Sequence, residues 1–291
     1  MILVNAVPDT LISALGNNGG ILAVVVCALA VGLAINAGRG KITKLVDLCN
    51  EISLIVSMIL GFIVEKFSPI AIFCLITRAC AAYGVSNLMP AVNYMLLTGA
   101  TLLFVLTLGY AAFVRIAARL NPVPFMRKIA RVALYGFSTS SSAATLPLSM
   151  KTTTEELGVN EEITSFVLPL GMTINMDGTA VMQVIAAIFI AGSGGYDLAL
   201  TDLMLICALA VITSVGTPAA PGAGAVILFT ILSGAGLNNE LAMMAYSLVI
   251  AINRPVEMLV TALNVVGDSA CGITVARHEN AMNLEKYHHM G

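Results

Sequence analysis

An all-α membrane protein, built around two re-entrant hairpins and two polar helices that repeat with inverted topology, is the fold this sequence predicts. Three observations predict it: a composition unsuited to water, two uncharged stretches broken by small and helix-breaking residues, and a polar stripe along an otherwise apolar helix. Hydrophobic residues fill 58% of the 291 positions, charged residues only 10%, and the mean hydropathy is +0.95. A soluble domain carries roughly 25% charged residues. This chain lacks the means to cover itself with a water-facing surface, so the lipid bilayer is its expected partner. The formal net charge of −2 offers no basic surface, and no nucleic-acid partner is expected.

The cysteines and histidines narrow the chemistry. Six cysteines are scattered without metal-type spacing, all but Cys49 in apolar runs, and read as small hydrophobes. The three histidines, His278, His288 and His289, lie in the polar C-terminal tail, so the apolar body holds no Ser–His pair and no histidine-ligated metal. Ser140, Ser141 and Ser142 have no His or Lys nearby in that body to activate them as nucleophiles. The chain is not expected to be an enzyme, and no cofactor is expected. The N-terminal MILVNAVPDTLISALG has no basic segment and no small-residue cleavage site, which argues against a signal peptide.

Along the chain, residues 1–83 are expected to form scaffold-type transmembrane helices. One span runs over about 20–35 and ends in the basic loop of Arg39, Lys41 and Lys44. A second, about 45–76, is broken near its end by Glu65, Lys66, Ser68 and Pro69. Residues 84–279 form the core, which opens with a span from about Met89 and reaches a basic segment of Arg115, Arg119, Arg127, Lys128 and Arg131. Positive charge marks the cytoplasmic side. Both basic loops and the tail, 280–291, are therefore expected inside; the loops near 83–87 and 192–202, which hold no Lys or Arg, are expected outside.

Two uncharged stretches do not read as ordinary spans. Residues 132–150 carry Ser138-Thr139-Ser140-Ser141-Ser142 in their middle, and 203–239 carry GTPAAPGAG at 216–224. Each arm of the second is roughly 13 residues, or about 20 Å of helix, against a hydrocarbon core of about 30 Å. Neither arm crosses it. Short apolar arms meeting at a polar, helix-breaking tip predict hairpins at about 122–157 and 201–237, tolerated at membrane depth only where packed in protein or lining a wet cavity.

A polar helix follows each hairpin, at about 161–192 and 241–277. In the first, Asn175-Met176-Asp177-Gly178-Thr179 predicts a local unwinding whose carbonyls, amide and carboxylate suit a hard cation. In the second, Glu257, Thr261, Asn264 and Asp268 fall at i, i+4, i+7 and i+11, within a stripe roughly 40° wide. An Asp at mid-helix costs about 2.5–3.5 kcal/mol on insertion scales, so Asp177, Glu257 and Asp268 would cost on the order of 8–10 kcal/mol in lipid. They are expected to converge on a cation, on partners or on water. A structural alternative stays open: Arg254 neutralises Glu257 at i+3, and Asn264 bridges helices. Paired interrupted segments in corresponding halves point to the binding site of a secondary transporter.

The strings SSSAATLP (140–147), LPLGMTINMDGTA (168–180), GTPAAPGAGA (216–225) and NVVGD (264–268) resemble the signature segments of the dicarboxylate/amino acid:cation symporter family, which includes the glutamate and neutral amino acid transporters. The resemblance covers about 19–279. It implies a glutamate-transporter-like helical bundle in the cell membrane, with the serine-tipped hairpin as cytoplasmic gate and the GTPAAPGAG hairpin as external gate. It also implies that Ser141, Ser142, the backbone near Gly224 and Asn264 hold a substrate carboxylate. Glu257, where the family has Asp, would take the amino group, and Thr179 and Thr261 would orient the substrate. Sodium, the coupling ion, would be held by Gly171, Asn175 and Asp268. A second ion would lie between Thr173 and Met176 on one side and Ser214, Val215 and Thr217 on the other, and a further site would use Asn175 and Asp177.

Two departures qualify the resemblance. Acidic-substrate members carry Arg where this chain has Val260, which predicts a neutral amino acid; a dicarboxylate or glutamate, with protons in place of sodium, remains the alternative. Family members also begin with three further helices without counterpart here. The expectation is therefore a partial chain, trimeric only if full-length, or a non-transporting fragment.

Overall fold

The computed structural model describes residues 21–38, 42–67, 70, 73, 74, 77, 81 and 89–289 except 218 and 220. The loops expected near 39–41 and 83–87 fall largely or wholly outside them. Among the described residues there is no β-strand, and the chain is all-α. Helix α1 (Ile21–Ala37) covers the first expected span, and α2 (Thr43–Lys66) covers the second as far as Lys66; most of 67–76 lies outside the described residues. Helix α3 (Pro90–Ala118) contains two π turns, Val105–Gly109 and Val114–Ala118. Its outer face is apolar and bare, with Leu96, Leu97, Phe104, Leu108 and Ile116 each at least 60% exposed. A soluble protein rarely leaves so continuous an apolar patch open; this face suits lipid.

The remaining helices follow a repeated order of hairpin and broken helix. Helix α4 (Pro122–Thr139) begins at a cap in which the Asn121 side chain accepts from the Val123 amide, with Pro122 at the first position. It ends where Ser140 takes a left-handed conformation, φ 50°. Ser141 is extended and caps α5 (Ser142–Lys151) by accepting from the Ala144 amide. Two residues thus reverse the chain. A π turn, Thr152–Glu156, continues α5, and Arg131 pairs with Glu156 at 2.5 Å across the open end of the hairpin.

Helix α6 (Glu161–Ile174) stops at Asn175, and α7 (Asp177–Ser193) resumes after Met176. Neither linking residue is helical (φ −90°, ψ 78°; φ −112°, ψ 44°). The second hairpin is α8 (Leu200–Val215) and α9 (Ala223–Gly234), with Gly222 at φ 85° starting α9. These arms are about 24 and 18 Å long at 1.5 Å per residue.

The second polar helix is not the continuous rod expected across 241–277. It is divided into α10 (Glu240–Ile252) and α11 (Arg254–His278) at Asn253. Pro255 lacks the N–H that would bond back one turn, and its ring crowds the carbonyl there. Both polar helices are therefore broken, one at Asn175–Met176 and the other at Asn253.

Helix α11 is the axis of the fold. Every residue from 260 to 270 is buried, so its middle is enclosed on all sides and no face of it meets lipid. Gly136 permits this: a Cβ there would stand 3.0 Å from the Val265 side chain and 3.6 Å from the backbone of Ala262. Two apolar cores flank the axis. One joins α3, α4 and α11 through Phe125, Ile129, Val265 and Ile273; the other joins α7 to α10 through Ile190, Ile206, Leu228 and Val249.

The tail docks onto the open end of the first hairpin. The Lys128 ammonium donates to the carbonyls of Glu156 (2.9 Å), Lys286 (2.6 Å) and Tyr287 (2.8 Å). Tyr287 in α12 (Leu284–His288) is fully buried and donates its hydroxyl to the Asn121 carbonyl at 2.7 Å. Burial pushes its phenol up to about 12, against a hydrogen bond from the Phe125 backbone. Gly158, at φ 77°, accepts from the Asn283 amide, and a Cβ there would meet the Asn283 carbonyl oxygen at 2.5 Å.

Candidate functional site

The two hairpin tips meet over the middle of α11 and the break in the first polar helix. Ser140 and Ser142 from the first tip, Thr217, Ala219, Gly222 and Gly224 from the second, and Met176, Thr179 and Met182 from α7 and its start line one pocket. Glu257, Val260, Thr261 and Asn264 of α11 complete it. The helical stripe read from spacing thus faces one pocket along most of its length. The Ser141 hydroxyl donates to the Ala219 carbonyl at 3.1 Å and links the tips directly. The space between these residues is narrow, with about 30 Å³ open to the centre of a water-sized sphere.

Most polar atoms around this pocket are engaged with one another. The Asn264 amide donates to Thr179 Oγ1 and Met176 Sδ, both at 3.3 Å, and its carbonyl oxygen accepts from the Gly178 amide at 2.9 Å. Thr261 donates to the Glu257 carbonyl. Among the described residues two atoms are exceptions: Ser140 Oγ and Glu257 Oε1 are buried and make no hydrogen bond. The other Glu257 oxygen lies 3.8 Å from Arg254 Nη1, a long pairing to a half-exposed guanidinium, and the Asn253 side chain and the backbone of Gly222 and Ala225 also face this carboxylate. An unpaired buried polar atom costs about 1–3 kcal/mol, more for a charged group. A hydroxyl and a carboxylate oxygen left open in one pocket call for a ligand bearing both kinds of polar group.

Beneath the pocket lies an oxygen-rich nest. Asn175 Nδ2 donates to Asp268 Oδ1 at 3.0 Å and reaches the Asn264 carbonyl at 3.5 Å. Gly171 closes the nest because only hydrogen fits: a Cβ there would stand 2.5 Å from Asp268 Oδ1. Its carbonyl accepts from the Asn175 amide at 2.7 Å. Asp177 turns toward α3, where Oδ2 accepts from the Tyr110 hydroxyl, while Oδ1 accepts from the Gly178 amide at 2.9 Å. No three His, Cys, Asp or Glu side chains converge among the described residues. The donors are carbonyl, amide and single carboxylate oxygens, a set suited to a hard cation rather than a transition metal.

The remaining expected residues are placed unevenly. Gly224 and Thr217 reach the pocket. Ser141 is occupied by its α5 cap and the Ala219 link, so Ser140, not singled out in the sequence, offers the free hydroxyl beside Ser142. Ser214 donates to the Val211 carbonyl in its own helix, and Val215 is half-buried. Thr173 is exposed and donates to the Leu170 carbonyl, away from the pocket.

Sequence reasoning also passed over four supporting side chains. Gln183, fully buried, donates to the Gly224 carbonyl at 3.0 Å and accepts from Thr213 at 3.5 Å, gripping both arms of the second hairpin. Its position one turn after Thr179 was the available signal. Tyr110, Tyr94 and Asn253 had none, since their partners lie far away in sequence.

The model of the sodium:dicarboxylate symporter family matches residues 1–278. The chain is 33% identical over 282 residues to excitatory amino acid transporter 4 of Rattus norvegicus, which covers 93% of this chain and 48% of that protein. It is 30% identical over 280 residues to an excitatory amino acid transporter of Caenorhabditis elegans, covering 92% of this chain and 52% of the relative. To excitatory amino acid transporter 2 of Homo sapiens it is 32% identical over 261 residues, covering 88% and 44%. The chain spans about half the length of the curated relatives it matches. With the signature segments gathered around one pocket, the chain belongs to the sodium:dicarboxylate symporter family, a family of transporters rather than enzymes.

Proposed function

We propose that this chain is the substrate-binding portion of a sodium-coupled symporter for a small neutral amino acid. The observation that carries the reading is the pair of open atoms, Ser140 Oγ and Glu257 Oε1, in a single pocket. A zwitterion satisfies both: its ammonium group takes the Glu257 carboxylate, and its carboxylate takes Ser140, Ser142 and the backbone near Gly224, with Thr179, Thr261 and Asn264 orienting it. Val260 lines the pocket where acidic-substrate members carry Arg. A second carboxylate on the substrate would be buried there without a cation, which is expensive.

Sodium is the coupling ion in this reading, placed among Gly171, Asn175, Asn264 and Asp268. Met176, Asp177, Ser214, Val215 and Thr217 are ligands of further ions, and Thr173 joins them if the second hairpin shifts. The two hairpins are re-entrant from opposite sides, with the tail in the cytoplasm. Because the Ser141–Ala219 hydrogen bond joins the two tips across the pocket, the tips part to admit substrate. In the full-length homotrimer the hairpins and broken helices move together as an elevator-type carrier against a static scaffold. Each net positive charge carried inward contributes about 2.3 kcal/mol per 100 mV, or roughly 50-fold accumulation.

The purified protein, heated in detergent with and without sodium, tests this directly. Alanine or serine is expected to raise the unfolding temperature only when sodium is present. Stronger stabilisation by glutamate or succinate than by alanine sinks the neutral reading, and stabilisation indifferent to sodium sinks the ion.

A further inference from the structure

The walls of the pocket are not equivalent. Ala219 and Pro221 belong to the second tip, which has to move. The Met176 thioether accepts from Asn264 and Thr179 and belongs to the ion network. What remains as fixed apolar lining is Met182 and Val260, neighbours in one apolar cluster and both buried.

Methionine is unbranched and flexible, and by itself makes a poorly defined wall. Here it is fastened. Asn253 Nδ2 donates to Met182 Sδ at 3.0 Å, and Asn253 Oδ1 accepts from the Tyr94 hydroxyl at 2.7 Å. Asn253 is itself almost fully buried, at the break between α10 and α11. The Met182 methyl lies 3.1 Å from the place a Cβ on Gly224 would take. The thioether therefore fills the space between the α11 wall and the start of α9.

We propose that Met182, held by the Tyr94–Asn253 relay, is the residue that limits the size of the amino-acid side chain the pocket accepts. This rests on the neutral amino acid reading above. Met182 makes the specific contact, and Asn253 acts through it as a positioning residue. Truncation at Cβ removes three non-hydrogen atoms, roughly the difference between alanine and leucine. In a pocket of this kind one methylene is worth about 10- to 200-fold in discrimination.

The test is a sodium-dependent thermal-shift titration of the purified protein with alanine, serine, valine, leucine and methionine. The native chain is expected to bind alanine or serine and to bind leucine at least tenfold more weakly. Met182→Ala is expected to raise the leucine-to-alanine affinity ratio at least tenfold. Met182→Leu, nearly equal in volume, is expected to keep the native ratio. Asn253→Ala frees the thioether without removing it and also takes away the Asn253 contact with Glu257; overall affinity is expected to fall, and the leucine-to-alanine ratio to move part of the way. If Met182→Ala proves too unstable, Met182→Val and Asn253→Ala supply the readout. A ratio that stays within threefold of native while alanine still binds overturns the assignment of Met182 and leaves the neutral reading standing. So does a native protein that binds leucine as tightly as alanine. A native protein stabilised by none of the five overturns both.

Discussion

Replacing Gly171 by alanine puts a methyl carbon where the Asp268 carboxylate stands. The new Cβ would lie 2.5 Å from Oδ1, 3.0 Å from Cγ and 3.4 Å from Cβ of Asp268. Carbon and oxygen do not approach that closely, so the carboxylate has to turn away from Asn175 or α6 has to back off α11. Overpacking of this kind costs about 1–3 kcal/mol. Alanine in a helix returns close to 1 kcal/mol relative to glycine, so overall stability without sodium falls by no more than about 2 kcal/mol. The full strain returns when an ion draws Asp268 back to its place. Sodium affinity is thus expected to fall by about 5- to 150-fold, the equivalent of 1–3 kcal/mol. A sodium titration of the unfolding temperature reads this, with Gly192→Ala as the control. A Cβ at Gly192 meets nothing within 4 Å, so that change is expected to leave sodium affinity alone. Sodium affinity in Gly171→Ala within twofold of native would show that Asp268 is not a ligand.

Three further outcomes follow from the same geometry. Glu257→Gln keeps the shape but removes the charge beside the pocket; amino-acid affinity is expected to fall at least tenfold while stabilisation by sodium alone is retained, and equal losses in both would assign Glu257 to the fold instead. Tyr110→Phe strips Asp177 Oδ2 of its donor and is expected to cost about 1–3 kcal/mol, visible as a lower unfolding temperature at neutral pH; an unchanged temperature would mean that water replaces the hydroxyl. For Tyr287, the folded value of about 12 stands above the usual 10. Tail docking therefore holds its full contribution below pH 10 and loses about 2 kcal/mol as pH rises to 12, checked by hydrogen exchange of the 280–289 segment. Tyr287→Phe should lose that pH dependence, and a native tail equally protected at pH 9 and 12 would contradict the burial.

Most of the site was written in periodicities that survive folding. Glu257, Thr261, Asn264 and Asp268 share a stripe because helix geometry alone fixes their phase, and α11 is helical throughout that stretch. The break at Asn175–Met176 followed from a carboxylate beside a glycine in an apolar run. The division at Asn253 was available from Pro255, but proline is tolerated near helix starts and within kinked spans, so its presence did not locate the break. The exchange of Ser141 for Ser140 as the open hydroxyl depends on one left-handed residue, φ 50° at Ser140, which three consecutive serines do not specify. Docking of Tyr287 against Asn121 joins positions 166 residues apart, and nothing local encodes it.

On the proposed carrier reading, the Ser141–Ala219 contact sets how an empty molecule spends its time. A single neutral hydrogen bond of about 1 kcal/mol net favours touching tips over parted ones by roughly fivefold. A solute arriving from water then finds a receptive vestibule in about one molecule of six and forfeits only about sixfold in apparent affinity. In return, on that reading, Asp268 and its neighbours stay shielded for most of the time that no substrate is bound. A stronger clasp, such as an ion pair at the same place, would slow loading more than it reduced leakage.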